Sequence, residues 1–374
     1  MRILLVEPYF GGSHRAWAEG YASHTVHDVS LLTHPARFWK WRMQGGAVTL
    51  AEQARELPRR PDLILASDML NVPAFLALTR DVFHGVPTLL YCHENQLTYP
   101  VPPGEKRDLT YGMINWLSML AVDEVYFNSQ YHRDDWFGAL PNMLKHFPDQ
   151  SHLHRVDEVR RKSRVLPVGC DLRRLDGDGP VHDVEAPPLI LWNQRWEYDK
   201  QPELLFEALY ELADAGVAFR VALAGKSHRQ SAPEFEEARR RLGGRVVHFG
   251  FAEEGAYASL LRRADVVVST AIHEFFGVSM VEAVYARCFP VLPRRLSYPE
   301  LIPKEHHAAC LYSGFEGLLR RLRWAVEHVQ DARRIAELLR TSVRRFDWRI
   351  LAPTYDEILE TCCLEGNKSG SPLA

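Results

Sequence analysis

Short apolar runs of a few residues alternate with longer segments of mixed polarity along the whole chain. Such runs suit strands buried on both faces, and the longer segments suit helices that cover them, so the pattern predicts parallel sheets wrapped by helices. In the first half the predicted strands are Ile3–Glu7, Leu63–Ala66, Thr88–Cys92 and Glu124–Phe127. Small or polar residues follow them: Gly11-Gly12-Ser13, Ser67-Asp68, His93-Glu94-Asn95 and Asn128-Ser129. Functional groups in open α/β sheets gather at the carboxyl ends of strands, so these four clusters are expected on one rim. The rhythm breaks from Pro141 to Arg164 and resumes with a strand and turn at Val165–Asp171. A polar stretch with Gly and Pro, Asp176 to Pro188, then reads as an interdomain linker.

The second half restarts the pattern, with strands predicted at Leu189–Asn193, Arg220–Ala224, Val246–Phe249, Asp265–Ser269 and Phe289–Leu292. Helices are predicted over Pro202–Ala213, where Pro202 suits a first turn, over Glu234–Leu242, and from about Asp347 to Cys362. Gly366 to Ala374 reads as a frayed tail. The expected organisation is α/β with two similar, Rossmann-like doubly wound domains facing each other, over residues 1–180 and 187–345. A terminal segment, residues 346–374, is expected to pack its helix back on the first domain.

Composition narrows the class only modestly. A chain of 374 residues exceeds one ordinary core, and 46% hydrophobic with 25% charged residues is globular rather than disordered. A net charge of -3 calls for no polyanion partner through a global field, leaving any nucleic-acid contact to a local patch. The first apolar stretch is too short for a signal peptide, and no apolar run approaches a membrane span. The six cysteines show no C-x-x-C pairing and are expected to be reduced thiols, which points to the cytoplasm. His152-x-His154 and His306-His307 lack thiolate or carboxylate partners at ligand spacing, so no metal is expected.

The chemistry concentrates in a few stretches. Arg195 and Lys200 follow the strand ending at Asn193, where two cations can neutralise a diphosphate leaving group as its bond to a sugar breaks. Glu274 and Glu282 stand eight residues apart in His273-Glu274-Phe275-Phe276-Gly277-Val278-Ser279-Met280-Val281-Glu282. Amides of Phe276, Gly277 and Val278 at a helix start suit a phosphate, and Glu282 about one turn on suits ribose hydroxyls. Gly225-Lys226-Ser227 is no P-loop, because Arg220 stands where the motif needs glycine; Lys226 is placed to reach the donor's phosphate or nucleoside. No G-x-G-x-x-G follows the first strand, which weakens a dehydrogenase reading. Taken singly, each of these residues has an ordinary reading as a surface charge or helix residue.

Together the Arg–Lys couple, the Glu-x7-Glu spacing, Val168-Gly169-Cys170-Asp171-Leu172 and Phe346-Asp347-Trp348 resemble the retaining GT-B glycosyltransferases that include sucrose synthases and phosphatidylinositol mannosyltransferases. Glu7-Pro8-Tyr9-Phe10-Gly11-Gly12-Ser13-His14, Trp39-Lys40-Trp41-Arg42 and His93-Glu94-Asn95-Gln96 through Tyr99-Pro100 narrow this. They are similar to the tRNA-queuosine α-mannosyltransferase family, over nearly the whole chain. The resemblance implies transfer of mannose from GDP-mannose, with retention, to queuosine in the anticodon loop of a tRNA (tRNA-Asp), with no cofactor, no membrane and no obligate protein partner. It implies a catalytic group of His93, Arg195, Lys200 and Glu274. Gly11, Gly12, Lys226, Phe276, Gly277, Val278 and Glu282 would bind the donor, the two glycines by letting backbone approach closely. His14, Trp39, Trp41, Arg42, Glu94 and Asn95 are candidates for the acceptor. Arg37, Lys40 and the run Arg160–Arg164 are candidate phosphate contacts, with Trp39 and Trp41 as stacking platforms. The mechanism it favours is same-face attack by the acceptor hydroxyl with the departing phosphate as base. The alternatives are another donor sugar, a lipid or glycan acceptor, a sugar epimerase, or a non-catalytic binding protein. Glu274→Ala and Lys200→Ala are expected to cut turnover with the fold intact.

Overall fold

A computed structural model describes residues 1–101, 104–177, 185–226 and 233–369. The chain forms two compact units, Met1–Cys170 together with Trp348–Ala374, and Asp171–Asp347. Most of the expected linker, residues 178–184, lies outside the described residues.

The first unit holds a six-stranded sheet of β1 (Arg2–Phe10), β2 (Asp28–Pro35), β3 (Leu63–Ser67), β4 (Thr88–Cys92), β5 (Glu124–Phe127) and β6 (Ser163–Val165), in the order β2-β1-β3-β4-β5-β6. Its strand pairs are parallel. The second unit holds β7 (Leu189–Trp192), β8 (Arg220–Ala224), β9 (Val246–Gly250), β10 (Val266–Val268), β11 (Phe289–Pro293) and β12 (Leu311–Tyr312), in the order β12-β11-β10-β7-β8-β9. These pairs are parallel too. The two halves are therefore doubly wound but not alike. The second has the strand order of dinucleotide-binding folds and the first that of flavodoxin-like folds. The order reverses between β1 and β3 in one sheet and between β7 and β10 in the other. Ligands bind at such reversals, outside the carboxyl ends of the strands.

Apolar runs marked the central strands because both faces are covered: Leu63 to Ala66, Thr88 to Cys92 and Leu189 to Trp192 are all buried. Two strands carry no such signal. β2 is an edge strand in which only Leu32 is fully buried, and β12 is two residues long. β1 also runs beyond its predicted end, with a break in register between Glu7 and Phe10. Irregularities of that kind re-aim side chains, and this one sits beside the reversal point.

The last helix, Trp348–Ser369, extends past Cys362, so the helix takes in the start of the expected tail; residues 370–374 lie outside the described residues. It belongs to the first unit. The Trp348 amide donates to Cys170 O at 3.0 Å, Tyr355 OH donates to Pro167 O at 2.8 Å, and Tyr21 OH donates to Asp356 at 2.8 Å. The buried Trp348 indole lies against Gly20 and Gly169, where a β-carbon on either glycine would overlap the ring. Gly20→Ala or Gly169→Ala is therefore expected to cost about 1–3 kcal/mol by overpacking. Calorimetry checks this, and an unchanged melting transition in both variants would show that the helix does not seat as described.

Candidate functional site

In the second unit the carboxyl ends of β7 and β10 are stitched together by side chains the sequence places just after each strand. Gln194 Nε2 donates to Ser269 Oγ at 3.1 Å, and Thr270 Oγ1 donates to Lys200 O at 2.6 Å. The Ile272 amide donates to Asp199 O at 2.9 Å. These bonds hold the short turn Tyr198–Lys200 against the loop that carries Glu274. Lys200 is 5% exposed, donates to His273 O at 2.7 Å, and lies 3.2 Å from Asp199 Oδ2 and 3.5 Å from Glu274 Oε2. Burial alone would lower its pKa, but Glu274 and Asp199 overcome burial and Arg195 and raise it. Lys200 is thus a permanently charged ammonium. Arg195 is exposed, with Nη1 3.3 Å from Glu197. Sequence had paired two equivalent cations; the structure makes one a buried, fixed charge and the other a surface group.

Gly277 adopts φ +95° as the N-cap of the helix Val278–Tyr285, and no side chain caps that end. A conformation of this kind favours glycine. The first amides of the helix, from Val278 onward, are accordingly an anion-binding end. The Phe276 side chain is buried against Phe346, with ring centroids 5.1 Å apart, so Phe276 offers a ligand only its backbone. Glu282 is more committed than its spacing suggested. Arg174 Nη2 donates to one carboxylate oxygen at 2.5 Å and Tyr257 OH to the other at 2.9 Å. A ribose hydroxyl would share those oxygens, whose remaining lone pairs still accept. Arg174 and Tyr257 carried no sequence signal. Lys226 is exposed, its Nζ 5.9 Å from the Phe251 ring.

In the first unit the β1/β3 reversal gathers Glu7, Gly11, Gly12, His14, Asp68 and His93. Gly11 packs so tightly on Ala36 that a side chain would collide, and Gly12 takes φ +53°. Together they turn the chain from β1 into the helix Gly12–His24, which puts His14 in its first turn. His14 Nδ1 donates to Glu7 Oε2 at 3.0 Å, and the Tyr9 amide donates to Glu7 Oε1 at 2.8 Å. Burial alone would lower the His14 pKa; Glu7, by charge and hydrogen bond, with Asp68 and Glu94 behind it, lifts it to about 9. His93 lies beside His14, centroids 4.2 Å apart and rings tilted by 41°, next to Trp17 and Tyr91. Burial and then the charge of His14 push the His93 pKa well down, so His93 is neutral. Asp68 accepts the amides of His93 and Glu94 at 3.2 and 3.0 Å, and burial raises it to about 6. Donor atoms of Glu7, His14 and His93 lie within 4.8 Å of one another, the shortest link being His14 Nδ1 to Glu7 Oε2 at 3.0 Å.

Other candidates are spent on the fold. Asn95 is fully buried, donating to Asp135 Oδ2 at 2.7 Å and accepting the Leu97 amide at 2.9 Å, so it fixes the loop after β4. Trp39 packs on Tyr111 at 4.8 Å and is not a free stacking face. Arg160 lies over Phe137, Lys162 donates to the carbonyl of Val122, and Arg164 pairs with Glu124, so three of the four cations of the basic run have partners in the fold. Trp41 is different: it is 62% exposed and its indole lies along the helix surface over Gly45. Arg42 donates to Pro35 O at 3.3 Å, and Glu94 is half-buried on the rim.

Two doubly wound units, one carrying a fixed cation and an uncapped helix end at its strand reversal, define a glycosyltransferase of the GT-B class. Residues 180–339 match the glycosyl transferases group 1 family, and residues 2–170 match the tRNA-queuosine alpha-mannosyltransferase N-terminal family. A tRNA-queuosine alpha-mannosyltransferase of Drosophila melanogaster is 34% identical over 330 residues, 86% of this chain and 85% of that protein. The chain belongs to the tRNA-queuosine α-mannosyltransferase family, and it is a retaining hexosyltransferase. A GDP-mannose-dependent alpha-(1-6)-phosphatidylinositol dimannoside mannosyltransferase of Mycobacterium tuberculosis is 23% identical over 93% of each chain. The same fold recurs in the catalytic domain of starch synthase IV from Arabidopsis thaliana (TM-score 0.73, 12% identity, 97% of this chain and 99% of that one). Sucrose-phosphate synthase from Thermosynechococcus elongatus has a TM-score of 0.72 at 16% identity, covering 98% and 100%. No helix among the described residues is long and apolar enough to cross a membrane.

Proposed function

We propose that the protein transfers mannose from GDP-mannose to queuosine in the anticodon loop of tRNA-Asp, in the cytoplasm and without a metal or cofactor. The observation that carries the donor half is Lys200, a buried ammonium held at the β7/β10 reversal near an uncapped helix N-terminus. Charge grows on the diphosphate as the glycosidic bond breaks, and a fixed cation that needs no reorganisation stabilises that growth more than it stabilises the ground state. Arg195 adds a second cation from the surface. Glu274, half-buried beside Lys200, is placed for a sugar hydroxyl. The acceptor hydroxyl of queuosine attacks from the face the diphosphate leaves, and the departing phosphate oxygen takes its proton, so no nucleophilic side chain is required.

The acceptor half rests on family membership and on Trp41. An exposed indole supported along one helix face is suited to stacking an unpaired base of an RNA loop. The test is mass spectrometry of queuosine-containing tRNA incubated with the protein and GDP-mannose, with UDP-sugars and chelator-treated protein in parallel. A hexose on the queuosine nucleoside, with GDP-mannose alone and undiminished by chelator, is the expected result. Donor hydrolysis without hexose on tRNA would send the acceptor reading elsewhere; activity restored only by added metal would overturn the metal-free reading.

A further inference from the structure

The first unit contains a charged pair that the donor chemistry leaves unexplained. Glu7 is completely buried on β1, with Oε1 bonded to the Tyr9 amide and Oε2 to His14. The same Oε2 lies 3.9 Å from His93 Nε2, a buried atom with no hydrogen-bond partner among the described residues. Burying an ion pair is weak evidence for stability, because desolvation offsets most of the attraction. A structural site would be filled as well by apolar side chains. The pair instead sits at the rim where the strand order reverses, beside the Gly11-Gly12 turn.

We propose that Glu7 is a positioning residue for the transfer reaction: it fixes His14 as an imidazolium beside His93, so that His93 meets the substrate as a neutral hydrogen-bonding ring. Two imidazoles 4.2 Å apart cannot readily share two charges, and Glu7 decides which one is charged by bonding His14 at 3.0 Å and leaving His93 at 3.9 Å. The charged and titratable groups around His14 agree with this. Glu7 on β1, Asp68 after β3 and Glu94 after β4 all favour the charge on His14, while His14 and His132 both disfavour one on His93. Several perturbed groups converge on one rim, as they do where protonation states serve chemistry. The charge on His14 is held at neutral pH and lost as pH rises through about 9.

This inference rests on the transferase reading, and its test separates the two. In the full-length protein with ¹⁵N-labelled histidine, the His14 ring is expected to keep imidazolium shifts through pH 8 and to titrate near 9. In E7Q, burial is no longer opposed by Glu7, and His14 is expected to be neutral at pH 8. Steady-state kinetics of donor consumption should show kcat of E7Q reduced on the order of a hundredfold with little change in KM for GDP-mannose. The conservative E7D should regain part of the loss, and the alkaline limb of the kcat profile should move to lower pH in E7Q. If E7Q does not fold, H14Q tests the same pair and is expected to lose kcat on the same scale. A neutral His14 at pH 7 in the wild type, or an unchanged kcat in a folded E7Q or H14Q, would overturn the proposal. So would one tightly held metal ion per chain that is lost in E7Q. The titration is independent of the acceptor, so failure to modify tRNA would count against the substrate reading and leave this one standing.

Discussion

Arg195→Ala is expected to reduce turnover on the order of a hundred- to a thousandfold while leaving the melting temperature within roughly 2 °C of the wild type. The side chain is about half exposed and pairs with the partly exposed Glu197 two residues on. Lys200→Ala is expected to lose at least as much turnover but also to unfold earlier. Its removal leaves Asp199, 1% exposed, and the half-buried Glu274 facing each other's neighbourhood without their cation. Breaking a buried pair from one side costs about 3–5 kcal/mol, which in a unit of this size lowers the transition by roughly 10 °C. Burial thus adds an earlier thermal transition to the loss of turnover expected for Lys200→Ala. Donor turnover and calorimetry on the two variants check both statements. Normal turnover in a folded Arg195→Ala would remove the second cation from the leaving-group site.

What the sequence made legible follows the physics of burial. Thr88–Cys92, Glu124–Phe127 and Arg220–Ala224 match their predicted limits because the positions covered on both faces form apolar runs, with partly buried Glu124 and Arg220 only at the strand starts. β2 escaped because an edge strand needs no such run. Among candidate site residues, Arg195, Lys200, Glu274 and Glu282 stand out through their order and spacing. Arg174 and Tyr257 do not, since they reach Glu282 from distant parts of the same unit and no local pattern encodes that meeting. Asn95 shows how a local motif hides a long-range bond. It stands in a distinctive motif, but its amide is consumed by Asp135, forty positions away. Glu7 carries no local sign of a role, because only the turn through Gly11 and Gly12 brings His14 back onto it.

That return has a measurable consequence for stability. His14 has a folded pKa of about 9 against about 6.5 for an ordinary histidine. A raised pKa in the folded state means the folded chain holds the proton more tightly, so the contribution is fully present below pH 6.5 and is lost as pH rises through 9. The whole contribution is about 3 kcal/mol, of which about 2 kcal/mol should disappear between pH 7 and 8.5. The neighbours do not mask this window. Asp68, raised to about 6, has finished ionising in both states by pH 7, and the depressed His93 and His132 act only on the acid side, where unfolded histidines take up protons. Buried thiols such as Cys92, whose pKa burial pushes up, add a loss of the same sign as unfolded thiols ionise. The comparison with Glu7→Gln removes that common part. Melts at pH 7 and 8.5 should therefore show the wild-type first unit losing roughly 4–8 °C more than Glu7→Gln does. Parallel losses in the two proteins would mean that Glu7 does not hold a charge on His14, and the rim of the first sheet would then carry no imidazolium at neutral pH.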